Sequence, residues 1–154
     1  MRKAFSDTRS LRDQLKPVRD FAEKVMKERE EVVSIVLFGS RARGDYTAYS
    51  DYDVLVVVSH SEERFIDRPL RYLEYSEEPL ELFIYTTSEV ETMFDDANVL
   101  ILDALRDGVV LYDKGFWREL RGKFLVLLEK GVIRPTEVGW AVSVRPLSAA
   151  LSEA

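Results

Sequence analysis

Between Ile35 and Val58 the chain reads IVLFGSRARGDYTAYSDYDVLVVV, two apolar runs rich in β-branched residues joined by a polar, basic turn. The first run closes on Gly39-Ser40 and the second opens on Asp51-Tyr52-Asp53. Side chains alternate between the faces of a strand, so Asp51 and Asp53 are expected on one face and Tyr52 on the other. At roughly 4 Å and an effective dielectric of about 20, two such carboxylates repel by about 4 kcal/mol. The pair calls for a cation, and a hard divalent ion with oxygen ligands fits best.

The flanking segments supply a scaffold for this turn. Leu11, Leu15, Val18, Ala22, Val25 and Met26 recur at helical spacing, which predicts an amphipathic helix up to about Arg29. Pro17 either kinks that helix or starts it after a separate short one. Val32–Phe38 reads as a buried strand, Ser40–Gly44 as a tight turn or first helical turn, and Asp51–Val58 as a second strand. Pro69 and many charges break any long period in residues 59–78, where a loop and a short helix are expected. Leu80–Tyr85 reads as a third strand, with Glu81, Phe83 and Tyr85 on one face. Thr87-Ser88 followed by Glu91 predicts a capped helix, with more helix from about Asn98 to Arg106. Val109–Tyr112 is a short strand, Phe116–Leu128 a helix, and the segment after Gly131 is ambiguous.

Helices alternating with three or four short strands define a small α/β (α+β) domain, a mixed sheet flanked by helices. At 154 residues one domain is expected, with a core at about 18–130 and a C-terminal extension at 131–154. The longest apolar runs fall far short of the ~20 residues that cross a bilayer, and MRKAFSDTRSLRDQLK has no signal-like apolar core. A cytoplasmic location and no membrane partner are therefore expected. With no cysteine, disulfides and thiolate metal sites are excluded.

The net charge of −6 is unevenly spread. Residues 61–96 carry 11 acidic and 3 basic side chains, whereas residues 115–145 carry 6 basic and 3 acidic. An acidic centre disfavours direct contact with nucleic acid, which needs clustered Lys and Arg. A metal-bound nucleotide is easier to reconcile. Phe116, Trp117, Leu120 and Trp140 could form an apolar face for a homodimer or another partner, although core packing would use the same side chains.

Each candidate residue has an alternative use. Gly39 would let a phosphate approach the backbone, Ser40 would donate hydrogen bonds to it, and Arg41 and Arg43 would offset its charge. The same residues also suit a plain strand-to-helix turn with solvated arginines. Asp51 and Asp53 could be metal ligands, or turn-capping and ion-paired residues. Glu81, between Leu80 and Leu82, is either a third metal ligand or a carboxylate on an exposed edge strand. Tyr46, Tyr49 and Tyr52 crowd the motif without showing which of them, if any, stacks on a base. His60 reads as a surface residue.

Taken together, Gly39-Ser40, Arg43-Gly44, Ser50-Asp51-x-Asp53 and an acid in a later strand resemble the DNA polymerase beta-like nucleotidyltransferase superfamily. The closest likeness is to its minimal nucleotidyltransferases, over residues 18–130, and Leu105-Arg106-Asp107-Gly108-Val109-Val110-Leu111-Tyr112 is similar to that family's helix-Gly-strand element. The family's third carboxylate is most often aspartate, where PLELFIYT offers Glu81.

The resemblance implies transfer of a nucleoside monophosphate, AMP from ATP or another NTP, to an acceptor hydroxyl with release of pyrophosphate. It assigns Asp51, Asp53 and Glu81 to catalysis and to two Mg2+ (or Mn2+) ions, and Gly39, Ser40 and Arg43 to the nucleotide. It also implies a small helical partner of the HEPN type, an RNase toxin neutralised by AMP on a tyrosine. Two alternatives stand beside that antitoxin: a catalytically weak nucleotide-binding antitoxin that acts by occlusion, and an enzyme acting on a small-molecule hydroxyl.

Overall fold

The chain is described here by a computed structural model covering residues 10–46 and 50–151. The N-terminal reading of residues 1–9, Tyr49 and the last residues of the C-terminal extension lie outside the described residues.

Helix α1 (Leu11–Glu28) starts on Ser10, whose hydroxyl accepts from the Asp13 N–H. It runs through Pro17 as one helix, so among the described residues Pro17 does not start a new helix after a separate short one. Leu15, Val18, Phe21, Ala22 and Val25 are buried, whereas Met26 is 43% exposed. Strand β1 (Val32–Phe38) follows as the apolar pattern predicts, then the single turn α2 (Ser40–Arg43) and β2 (Asp53–Val58). The second strand is two residues shorter than expected, so Asp51 and Tyr52 precede its first rung.

Two 3-10 segments, Phe65–Arg71 and Leu73–Tyr75, fill the stretch that was hard to read. Strand β3 (Glu81–Thr86) runs directly into α3 (Thr87–Asp95). The capping box lies two residues earlier than expected: Thr86 accepts from the Glu89 N–H, and Glu89 accepts from the Thr86 N–H. Arg68 fixes that register by donating to both Glu89 carboxylate oxygens, at 2.7 and 3.1 Å. Helix α4 (Val99–Asp107), capped by Asn98, leads through Gly108 to β4 (Val109–Asp113). A Cβ at Gly108 would lie 2.3 Å from the Ala104 carbonyl oxygen, so this helix-to-strand corner needs glycine.

Asp113 caps α5 (Phe116–Glu129) by accepting from the N–H groups of Gly115, Trp117 and Arg118. A hairpin of β5 (Ile133–Thr136) and β6 (Gly139–Val142) and a short α6 (Leu147–Leu151) complete the described chain.

The sheet order is β3-β2-β1-β4, with β1 antiparallel to both neighbours and β2 parallel to β3. Ile35, Leu37, Val54, Val56 and Ile84 face α1, Tyr72 and Tyr75. Val36, Leu55 and Val57 face α3, α4 and α5. Each large apolar side chain so buried contributes about 1.5–3 kcal/mol of transfer free energy. Trp117 and Leu120 belong to this core, and Phe116 and Trp140 pack against it, so they do not form an exposed apolar face. The α5 helix needs those side chains to cover the sheet. No helix among the described residues is long and apolar enough to cross a membrane.

Candidate active site

Strands β1, β2 and β3 bring separated parts of the sequence to one end of the sheet. There β1 ends at Phe38, and β2 and β3 both begin. Phe38 pairs with Asp53, and Asp53 with Glu81, so the first rung crosses three strands. The Glu81 N–H donates to the Tyr52 carbonyl at 2.9 Å and ties the start of β3 to the residue between the two aspartates. Because β2 and β3 are parallel, register partners project from the same face.

Gly39 turns the chain out of β1 with φ 78° and ψ −159°, a conformation that side chains oppose. A Cβ there would lie 2.3 Å from Oδ2 of Asp53. The absence of a side chain at 39 thus lets the turn close over that carboxylate. Ser40 begins α2, whose Ala42 and Arg43 N–H groups both donate to the Gly39 carbonyl at 3.1 Å.

Asp53 is half-buried, and its carboxyl is held above the usual carboxylate range. Burial is the main cause, followed by the charges of Glu81 and then Asp51, while Arg43 pulls the other way. Gly39, Asp53 and Glu81 are therefore brought together, with Asp51 and Arg43 close enough to act on Asp53. Asp51, Glu81 and Arg43 are exposed, and Arg43 Nε lies 3.2 Å from Asp45 Oδ2.

Among the described residues, no three acidic or histidine side chains are gathered tightly enough to close on a metal ion. The donor chemistry nevertheless fits one. Carboxylate oxygens are the ligands that Mg2+ takes, and the mutual repulsion that raises Asp53 is what a cation relieves. Asp51 and Glu81 are exposed to solvent.

Arg41 departs from its expected place. It is buried at 8% exposure, and its Nε and one terminal nitrogen each donate to the Ser50 carbonyl at 3.2 Å. Its guanidinium carbon lies 4.6 Å from the Tyr46 ring centre and 4.3 Å from that of Tyr52. Both tyrosine hydroxyls donate to Gln14, Tyr46 to the side-chain oxygen and Tyr52 to the main-chain carbonyl at 2.8 Å. These rings are thus engaged with Arg41. The involvement of Gln14 was invisible in the sequence, and the only signal was the crowding of tyrosines around an arginine.

His60 is exposed, with Nδ1 3.0 Å from the Ser59 hydroxyl. It lies beside a cleft of about 500 Å3 at the opposite end of the sheet, lined by Arg29, Glu31, Glu63, Arg71 and Tyr72 among others. Its cations already face acids or rings: Arg71 pairs with Glu63 at 2.6 Å, and Arg29 sits over Tyr72 and Tyr75. Glu30, Glu31, Glu62 and Glu63 also line that cleft, but no glycine does, unlike the turn at the first rung.

The mixed sheet with a glycine-serine turn against paired acids is the arrangement that the nucleotidyltransferase resemblance implies, and comparison with known sequences establishes the class. Residues 19–100, more than half of the chain, match the family described as nucleotidyltransferase domain. The chain belongs to that family and is a nucleotidyltransferase. A Methanocaldococcus jannaschii protein provisionally named protein adenylyltransferase is 28% identical over 122 residues, covering 74% of this chain and 83% of that protein. The crystal structure of a protein from Sulfolobus solfataricus, provisionally named nucleotidyltransferase, shares the fold with a TM-score of 0.52 and 23% identity. The match covers 68% of this chain and 84% of that one. A toxin-antitoxin structure with AMP-PNP is more remote, at a TM-score of 0.44 and 13% identity over 73% and 87% of the two chains. Nothing about function follows from likeness at that level.

Proposed function

We propose that this nucleotidyltransferase transfers AMP from ATP to a hydroxyl on a partner protein in the cytoplasm, using Asp51, Asp53 and Glu81 with Mg2+. The observation that carries the reading is the Asp53–Glu81 rung beneath Gly39, two carboxylates in register against a turn whose missing side chain leaves room for the Asp53 carboxylate. The name of the Methanocaldococcus relative favours a protein acceptor.

In this reading the Gly39 backbone and Ser40 hydroxyl hold the β- and γ-phosphates, and Arg43 leaves Asp45 to offset their charge. Asp51, Asp53 and Glu81 would hold two divalent ions, which when bound would polarise the phosphate and stabilise the attacking and leaving oxygens. The acceptor oxygen forms a bond to the α-phosphorus as the bond to the α–β bridging oxygen breaks. Pyrophosphate leaves with that electron pair. Glu81 takes the acceptor proton, as its exposed place at the edge of the rung allows.

The acceptor proposed is a tyrosine of a small helical HEPN-type toxin, an assignment that rests on the sequence resemblance. Loose spacing of the acids favours one second reading, a nucleotide-binding antitoxin that blocks its partner by occlusion. Incubation with α-labelled ATP, Mg2+ and a co-encoded helical protein separates the two. Label on a tyrosine supports transfer, whereas stoichiometric inhibition without label supports occlusion and overturns transfer.

A further inference from the structure

We infer that Arg41 is a positioning residue for nucleotide binding, the centre of a brace that fixes the Asp51 turn against the Gly39-Ser40 turn and anchors both to α1. The inference rests on the nucleotidyl-transfer reading above and adds residues outside the motif's acids and phosphate contacts. Asp51 precedes the β2 ladder, so strand pairing alone does not fix its place. What holds the residue before it is the Ser50 carbonyl, which accepts two N–H groups from Arg41. Arg41 itself sits in α2, one residue after Ser40, so any tilt of that turn is passed directly to Ser50.

The Arg41 guanidinium is held in turn between the rings of Tyr46 and Tyr52. So close an approach to two rings suits the weakly hydrated guanidinium of arginine better than lysine, whose ammonium is a compact and strongly hydrated charge. Tyr46 and Tyr52 are tied to Gln14, itself buried on the first turns of α1. Buried polar groups linked in series act together, because breaking one link leaves its neighbours desolvated and unpaired. The brace therefore connects the N-terminal helix to both sides of the site. In this arrangement Arg41 acts through Ser50.

The test uses the full chain with Arg41→Met and Arg41→Lys. Binding of Mg2+ with AMP-PNP is measured by calorimetry, and amide hydrogen exchange is followed in the free protein. The brace predicts about tenfold weaker binding for Arg41→Met, faster exchange confined to residues 50–53, and little change within β1 and the rest of β2. Arg41→Lys, which keeps charge but lacks the guanidinium, shows the same pattern to a smaller extent and guards against a misfolded first variant. Unchanged affinity and unchanged exchange at 50–53 would overturn the inference. So would loss of protection throughout the sheet in both variants, which would make Arg41 a support of the whole fold. If the unsubstituted chain binds no AMP-PNP, the proposed function fails, and the exchange pattern alone still judges the brace.

Discussion

Gly39 and Asp53 are in such close approach that a single methyl group at position 39 would stand 2.3 Å from the carboxylate oxygen of Asp53. The two residues lie 14 positions apart in the sequence, and the antiparallel pairing of Phe38 with Asp53 makes them neighbours. Gly39→Ala should lower stability by about 1–3 kcal/mol from backbone strain at positive φ, and weaken nucleotide binding further by displacing Asp53. Adding Asp53→Ala removes the clash but not the strain, so the double variant should be more stable than the sum of the two single effects implies. Chemical denaturation checks this, and strict additivity would contradict it.

Asp53 ionises against burial and against Glu81 and Asp51. Its folded pKa is raised, so its contribution to stability is present below the unfolded pKa and is lost as pH rises through the folded value. In metal-free buffer at pH 7, Asp53→Asn should therefore melt at a higher temperature than the unsubstituted chain, and the difference should shrink toward pH ~4. Mg2+ with AMP-PNP should raise the melting temperature of the unsubstituted chain and have little effect on Asp53→Asn.

The Arg68–Glu89 pair presents the opposite sign. Arg68 holds the Glu89 carboxyl below its ordinary value, with burial opposing and the Thr86 N–H assisting. The stability it adds is present above the unfolded pKa and is lost as pH falls through the folded value. Glu89→Gln should keep part of the capping box and lose the ion pair. Since the Glu89 side chain is 42% exposed, the cost should be about 1–2 kcal/mol, less than for a fully buried pair. Thermal melts at pH 7 and at low pH should show the variant's deficit shrinking with acid.

Glu81→Gln separates binding from chemistry. The amide keeps the shape and a carbonyl oxygen but accepts no proton, so AMP-PNP affinity should remain within about threefold while transfer falls by about 100-fold or more. A single-turnover assay with labelled ATP measures the loss. Undiminished transfer would remove Glu81 from the chemistry.

The site was legible where its signal is local. The Val32–Phe38 run and the glycine after it follow from strand geometry over a few residues, and the structure keeps them, whereas the alternation expected around Tyr52 rested on a strand from Asp51 and β2 begins only at Asp53. Glu81 was legible as an acid flanked by leucines, and its register with Asp53 follows from the parallel pairing of β2 with β3. Arg41 was misread because sequence shows a charge and not the rings around it. The capping box was misplaced because Thr86, Thr87 and Ser88 are chemically alike, and only the distant Arg68 selects Glu89. The β5–β6 hairpin has strands of four residues each, too short for any period to emerge.

The most direct test of the account is a crystal of the chain grown with AMP-PNP and Mn2+, read by the anomalous signal of manganese. The account predicts manganese within coordination distance of Asp51 and Asp53, with the triphosphate against Gly39 and Ser40. Manganese and nucleotide bound elsewhere, as in the cleft beside His60 and Arg71, would contradict it.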